Sequence, residues 1–165
     1  MPSTYEPIAT TTLGSAAASI DFTSIPATYT DLKVVFVGTA TSATGLRAQF
    51  NSDTATNYSR TSLLGDGSAV YAQRATSVAF VSLGINDNLS TTIPTLRTMD
   101  VFSYAGSTNK TVLTSESTDF NGSGAATVAV QLWRNTGAIT SISLNVSGTT
   151  IAAGSIATLY GIKNA

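Results

Sequence analysis

Apolar and polar residues alternate with a period of two along most of this chain, the spacing at which every second side chain shares one face of a β-strand. Asp31–Ala40 sets Leu32, Val34 and Phe36 on one face, yet Val35 and Val37 make the other face apolar as well. A strand apolar on both sides belongs in the middle of a sandwich or against a neighbouring subunit. Leu46-Arg47-Ala48-Gln49-Phe50 alternates cleanly, and Ser19-Ile20-Asp21-Phe22 does so over a shorter span. Leu96–Tyr104 divides into Phe102 and Tyr104 on one side and Arg97, Met99 and Val101 on the other. Thr127–Trp133 offers Val128, Val130 and Leu132 to one face and Thr127, Ala129, Gln131 and Trp133 to the opposite one. Ile142, Leu144 and Val146 share the apolar face of Ile139–Val146. Ser155–Ile162 opposes Ile156, Thr158, Tyr160 and Ile162 to Ala157, Leu159 and Gly161.

Turn-forming clusters fall between these segments at strand-length intervals: Thr41–Gly45, Gly65-Asp66-Gly67, Gly106–Asn109, Asn135-Thr136-Gly137 and Ser147-Gly148. The chain carries 28 Thr and 21 Ser, and β-branched Thr suits a half-exposed pleated surface. Helix is expected only as a turn in Val70–Ser77 or Ala16–Ala18. The reading is therefore all-β: residues 1–165 as a single two-sheet antiparallel β-sandwich of about ten strands, with jelly-roll wrapping expected. An immunoglobulin-like sandwich has too few strands, and a lipocalin-like barrel needs a more regular meander. Met1–Thr12, with two prolines, is expected as an extended first strand, the alternative being an N-terminal arm laid on a neighbour.

Composition removes several chemistries. The 165 residues contain no His and no Cys, which excludes a Ser-His-Asp triad, a Cys nucleophile, an imidazole base and thiolate or imidazole metal sites. Disulfides are excluded too, so stability must come from the core or from oligomer contacts. Eight Lys+Arg against nine Asp+Glu leave no basic face for nucleic acid. No run approaches the ~20 apolar residues of a membrane helix, and the opening Met1–Pro7 lacks the basic and apolar stretches of a signal peptide. The expectation is a non-enzymatic protein made in the cytoplasm, with no catalytic residue, cofactor or metal assigned.

Three weaker constellations stand beside that expectation. A paired-carboxylate glycosidase would draw on Asp21, Asp53, Asp66, Asp87, Asp100, Glu116 and Asp119. Most of these lie in turn sequences, and Asp100 with Glu116 is the pair in strand-like segments. Oxygen-rich turns at Asn51-Ser52-Asp53, Asn86-Asp87-Asn88 and Asp119-Phe120-Asn121-Gly122 contain ligands suited to calcium, without the spacing of an EF-hand loop. Trp133-Arg134, joined by Tyr58, Tyr71 and Tyr104, has the residue types of a sugar-stacking platform. Core packing of the tryptophan is the competing reading.

One resemblance covers nearly the whole chain. Tyr5-Glu6-Pro7-Ile8-Ala9-Thr10-Thr11-Thr12-Leu13-Gly14-Ser15, Ile20–Pro26 and Tyr29-Thr30-Asp31-Leu32 open it. Phe50-Asn51-Ser52-Asp53, Asn57-Tyr58-Ser59, Leu64-Gly65-Asp66-Gly67, Tyr104–Val112 and Ala153–Lys163 continue it. In these phrases the chain resembles small virion structural proteins of tailed bacteriophages, especially phages of marine and freshwater bacteria. The resemblance implies a capsid decoration (cement) protein on the head surface, made in the host cytoplasm, with the major capsid protein as partner. A homotrimer suits the threefold positions of a capsid lattice. Other members resemble fibre or tail-tip modules, so the alternative is a tail-associated module binding a host surface glycan. The resemblance assigns no functional residue or interface position by motif.

Overall fold

The alternation resolves into β1 (Tyr5–Thr12), β2 (Ser19–Phe22), β3 (Asp31–Gly38), β4 (Arg47–Phe50), β5 (Tyr58–Gly65) and β6 (Val70–Val78). The chain continues through β7 (Val81–Ser82), β8 (Thr95–Val101), β9 (Lys110–Thr118), β10 (Ala125–Trp133), β11 (Ile142–Asn145) and β12 (Ile156–Ile162). The computed structural model describes residues 4–84, 88–118 and 122–163, and among these there is no helix.

The strands form an eight-stranded sheet, β1-β12-β3-β8-β9-β10-β5-β6, and a four-stranded sheet, β2-β11-β4-β7. Every pairing between named strands is antiparallel. An all-β sandwich-like fold is thus established, with twelve strands against the expected ten or so. Four of the pairings are nested: β1 with β12, β2 with β11, β3 with β8, and β4 with β7. Two more, β12 with β3 and β11 with β4, wrap that doubled ribbon around itself. The hairpins β5–β6 and β9–β10 are inserted into this wrap and extend the large sheet on one side.

One apolar core lies between the sheets. Leu32, Val34 and Phe36 of β3, Met99 and Val101 of β8, and Leu159 of β12 meet Ile20, Phe22, Ala48, Phe50, Ile142 and Leu144 of the small sheet. All are at most 3% exposed. Gly161 is required at its place in β12, because a Cβ there would enter the ring of Tyr29.

Three local expectations change. Val70–Ser77 is not a helical turn but lies in β6, paired along β5 from Val70 opposite Gly65. Its Ala, Gln and Arg residues are good helix formers, but local propensity is outweighed by the adjacent ladder. Ala16–Ala18 is not helical either, since Ala17 bridges Ile151. Residues 5–12 do form the expected first strand, and Pro7 sits on that edge strand, where its missing N–H interrupts no central ladder. The alternation predicted for Leu96–Tyr104 also breaks. Strand β8 ends at Val101, Ser103 adopts φ 50°, and Tyr104 turns into the core while Phe102 remains 43% exposed. The Tyr104 hydroxyl donates to the carbonyl of Pro26.

Candidate interaction surface

Across β9, β10 and β5 the polarity of the large sheet is reversed. On β10 the inward residues are Thr127, Ala129, Gln131 and Trp133, while Val128 and Val130 point outward and are 44% and 51% exposed. Register carries this pattern over the strands. Val128 lies between Ser115 of β9 and Leu63 of β5, and Val130 between Leu113 and Thr61. The row above runs from Ile156 through Val37 and Leu96 to Ser117, Ala126 and Gly65, ending at Val70. Leu63, Val70, Leu96 and Leu113 are all exposed on this side. A free face of an antiparallel sheet is ordinarily polar, so a broad apolar one marks a surface that works by contact.

Little charge interrupts it. Lys33 and Asp100 sit opposite one another and pair at 2.7 Å. Outward hydroxyls bond across strands, Thr98 Oγ1 with Ser115 Oγ at 2.7 Å and Thr10 Oγ1 with Thr158 Oγ1 at 3.1 Å. Each such bond leaves a hydroxyl less dependent on water, so the face is cheaper to dry. Two depressions indent it: one of about 370 Å³ lined by Leu63, Gly65, Val70, Ala126 and Val128, and one of about 290 Å³ lined by Thr61, Arg74, Val130 and Leu132 among others.

The reverse of the same strands carries polar residues with specific partners, Thr127 excepted, whose buried hydroxyl has none among the described residues. Arg97 and Glu116 are cross-strand partners on β8 and β9 and form an ion pair with side chains 0% and 1% exposed. The Arg97 guanidinium also reaches the carbonyl of Asn88 at 3.5 Å. Gln131 acts as a short strand toward β7. Its amide nitrogen donates to the Ser82 carbonyl at 2.7 Å and to Thr114 Oγ1 at 2.9 Å, and its oxygen accepts the Ser82 N–H at 2.9 Å. Polar residues are therefore held inside by specific partners, which forces the apolar alternates outward.

The structure separates the residues that sequence had grouped. Asp100 and Glu116 lie on opposite faces of the sheet, one paired with Lys33 and the other with Arg97, so they make no dyad. The sugar platform is also overturned. Trp133, Tyr58 and Tyr104 are 0% exposed, Trp133 stacks on Tyr58 at 6.2 Å between ring centroids, and its edge meets Phe50 at 5.5 Å. Tyr71 and Arg134 are the exposed members of that group, and Arg134 donates to the carbonyl of Thr56 at 2.8 Å. Burial pushes the Tyr58 hydroxyl pKa up to about 12.

Asn51-Ser52-Asp53 is a tight turn rather than a cation loop. Asn51 and Ser52 both have positive φ, 50° and 58°, and the Asp53 N–H closes onto the Phe50 carbonyl. Asn51 Oδ1 accepts the backbone N–H groups of Thr140 and Ser141. The Asp53 carboxylate accepts from Trp133 Nε1 at 2.7 Å, Asn57 Nδ2 at 3.0 Å and the Ala55 N–H at 2.9 Å. Partial burial works to raise its pKa, but those hydrogen bonds prevail and hold it below the usual value. Asp66 likewise caps the β5–β6 turn, accepting from Ser68 and Ala69. Asn86, Asp87, Asp119, Phe120 and Asn121 of the other two turns lie outside the described residues. Among the described residues no group of three metal-ligating side chains occurs.

Nothing in the sequence announced the outer face as a site, because alternation says which residues share a side and not which side meets water. The one trace that could have found it is Val128, Val130 and Leu132 alternating with Thr127, Ala129 and Gln131. Compared with known proteins, the chain matches no family model, no curated protein and no solved structure.

Proposed function

We propose that this chain is a bacteriophage virion structural protein, a capsid decoration (cement) protein that docks as a homotrimer on the major capsid protein and stabilises the assembled head. In this reading the wrapped strand order is a jelly roll carrying two inserted hairpins, made in the host bacterial cytoplasm and residing on the capsid surface. The observation that carries it is the broad, nearly uncharged apolar face on a rigid cysteine-free sandwich. Contacts made by apolar area and hydroxyls are insensitive to ionic strength, as a particle released into fresh or salt water requires. Binding only the assembled shell stabilises that state by mass action. The resemblance of the sequence to small phage virion proteins points the same way.

The test is electron cryo-microscopy of virions made with and without the gene. Density missing at regular lattice points on the head is the expected result. Density missing at the tail transfers the protein to the tail-associated, glycan-binding alternative, and unchanged virions overturn the virion reading.

A further inference from the structure

We propose that the apolar outer face of β3, β8, β9, β10, β5 and β6 is where a second copy of this chain docks. The inference rests on the self-association in the reading above, and neither on its threefold count nor on the shell. Size is the first argument. With β3 the block has six strands. At ~4.8 Å between strands and ~3.3 Å per residue it spans roughly 29 by 26 Å, about 750 Å². A stable standard-size interface takes roughly 800 Å² from each partner.

Charge is the second argument. Outward ions are confined to the margins: the Lys33–Asp100 pair and Asp31 on one side, Arg74 on the other. A face without a field of its own cannot select a charged partner, and it meets its own copy without opposing like charges. Shape is the third. Leu63 and Val130, each about half exposed, stand in the walls of the two depressions, Leu63 with Val70 and Val128, and Val130 with Thr61 and Arg74. Half-exposed apolar side chains beside sockets of side-chain size on one surface are what self-complementary packing uses.

The experiment is sedimentation equilibrium of the full chain from about 1 to 100 μM, comparing wild type with Val130→Lys and with Thr23→Lys, an exposed position after β2. Each lysine placed at the contact would lose its water on docking, so Val130→Lys is expected to weaken association ~100-fold. Thr23→Lys should associate as wild type does. Far-UV circular dichroism checks folding, and Leu63→Thr, which adds no charge, serves if Val130→Lys fails to fold. A wild type that stays monomeric throughout overturns the inference, and so does an oligomer indifferent to both Val130→Lys and Leu63→Thr. Adding the same variants to heads that lack the protein reads shell binding separately, so either claim can fail alone.

Discussion

The two halves of the large sheet solve opposite problems with the same alternation. In β1, β12, β3 and β8 the inward face is covered by the small sheet, and Leu32, Val34, Phe36, Met99 and Leu159 fill the gap as hydrocarbon. In β9, β10 and β5 the inward face carries Glu116, Thr114, Thr127, Gln131 and Ser62 beside the apolar Val112, Leu64, Tyr58 and Trp133, while Leu63, Leu113, Val128 and Val130 look outward. The first half is a folding core. The second uses hydrogen bonds to fix its orientation and keeps its apolar area for another surface. A strand pattern therefore identifies a pair of faces, and the partners available to the polar residues decide which one is buried.

The comparison breaks most sharply at buried charge. Phe36→Ala should cost ~3–5 kcal/mol by leaving a cavity. Glu116→Ala should cost a similar ~3–5 kcal/mol, because Arg97 stays buried without its carboxylate. Only the second loss should be recovered by changing the partner: Arg97→Met with Glu116→Leu should unfold in urea near the wild-type midpoint. A double variant no better than Glu116→Ala would show that the polar half depends on more than this pair.

A smaller effect is expected in the turn between β4 and β5, under Trp133 of the second half. Asp53→Asn weakens the acceptor of the Trp133 indole and should cost about 1 kcal/mol at neutral pH. The folded pKa of Asp53 is depressed, so its contribution is present above its ordinary value near 3.8 and is lost as pH falls through the lower folded value. Thermal unfolding of wild type should therefore drop faster than that of Asp53→Asn as pH is lowered through that window. Parallel curves would show that the carboxylate contributes no pH-dependent stability.

The smallest effect belongs to the outer face. Val130→Thr keeps shape and β-propensity, and should change the unfolding free energy of the isolated chain by less than about 0.5 kcal/mol. A loss of ~2 kcal/mol in a monomeric sample would mean that the face is part of the chain's own core. The contrast between the halves would then have to be withdrawn.

Period-two alternation, punctuated by Gly, Asn and Asp turns, determined that the chain is all-β and where most of its strands lie, because strand geometry imposes its period on every half-buried segment. Residue types alone also determined which chemistries were closed, since no fold supplies a missing imidazole or thiol. Tertiary structure decided the rest. It turned Tyr104 inward through the left-handed Ser103, gave Trp133 to the core and put Asp100 and Glu116 on opposite faces. It also turned the valines of β10 outward, because Glu116 found Arg97 across the consecutive strands β8 and β9, and Gln131 found Ser82 on a strand far away in sequence. The Ser82 partner comes from the long-range wrapping of the chain, and no local pattern encodes it.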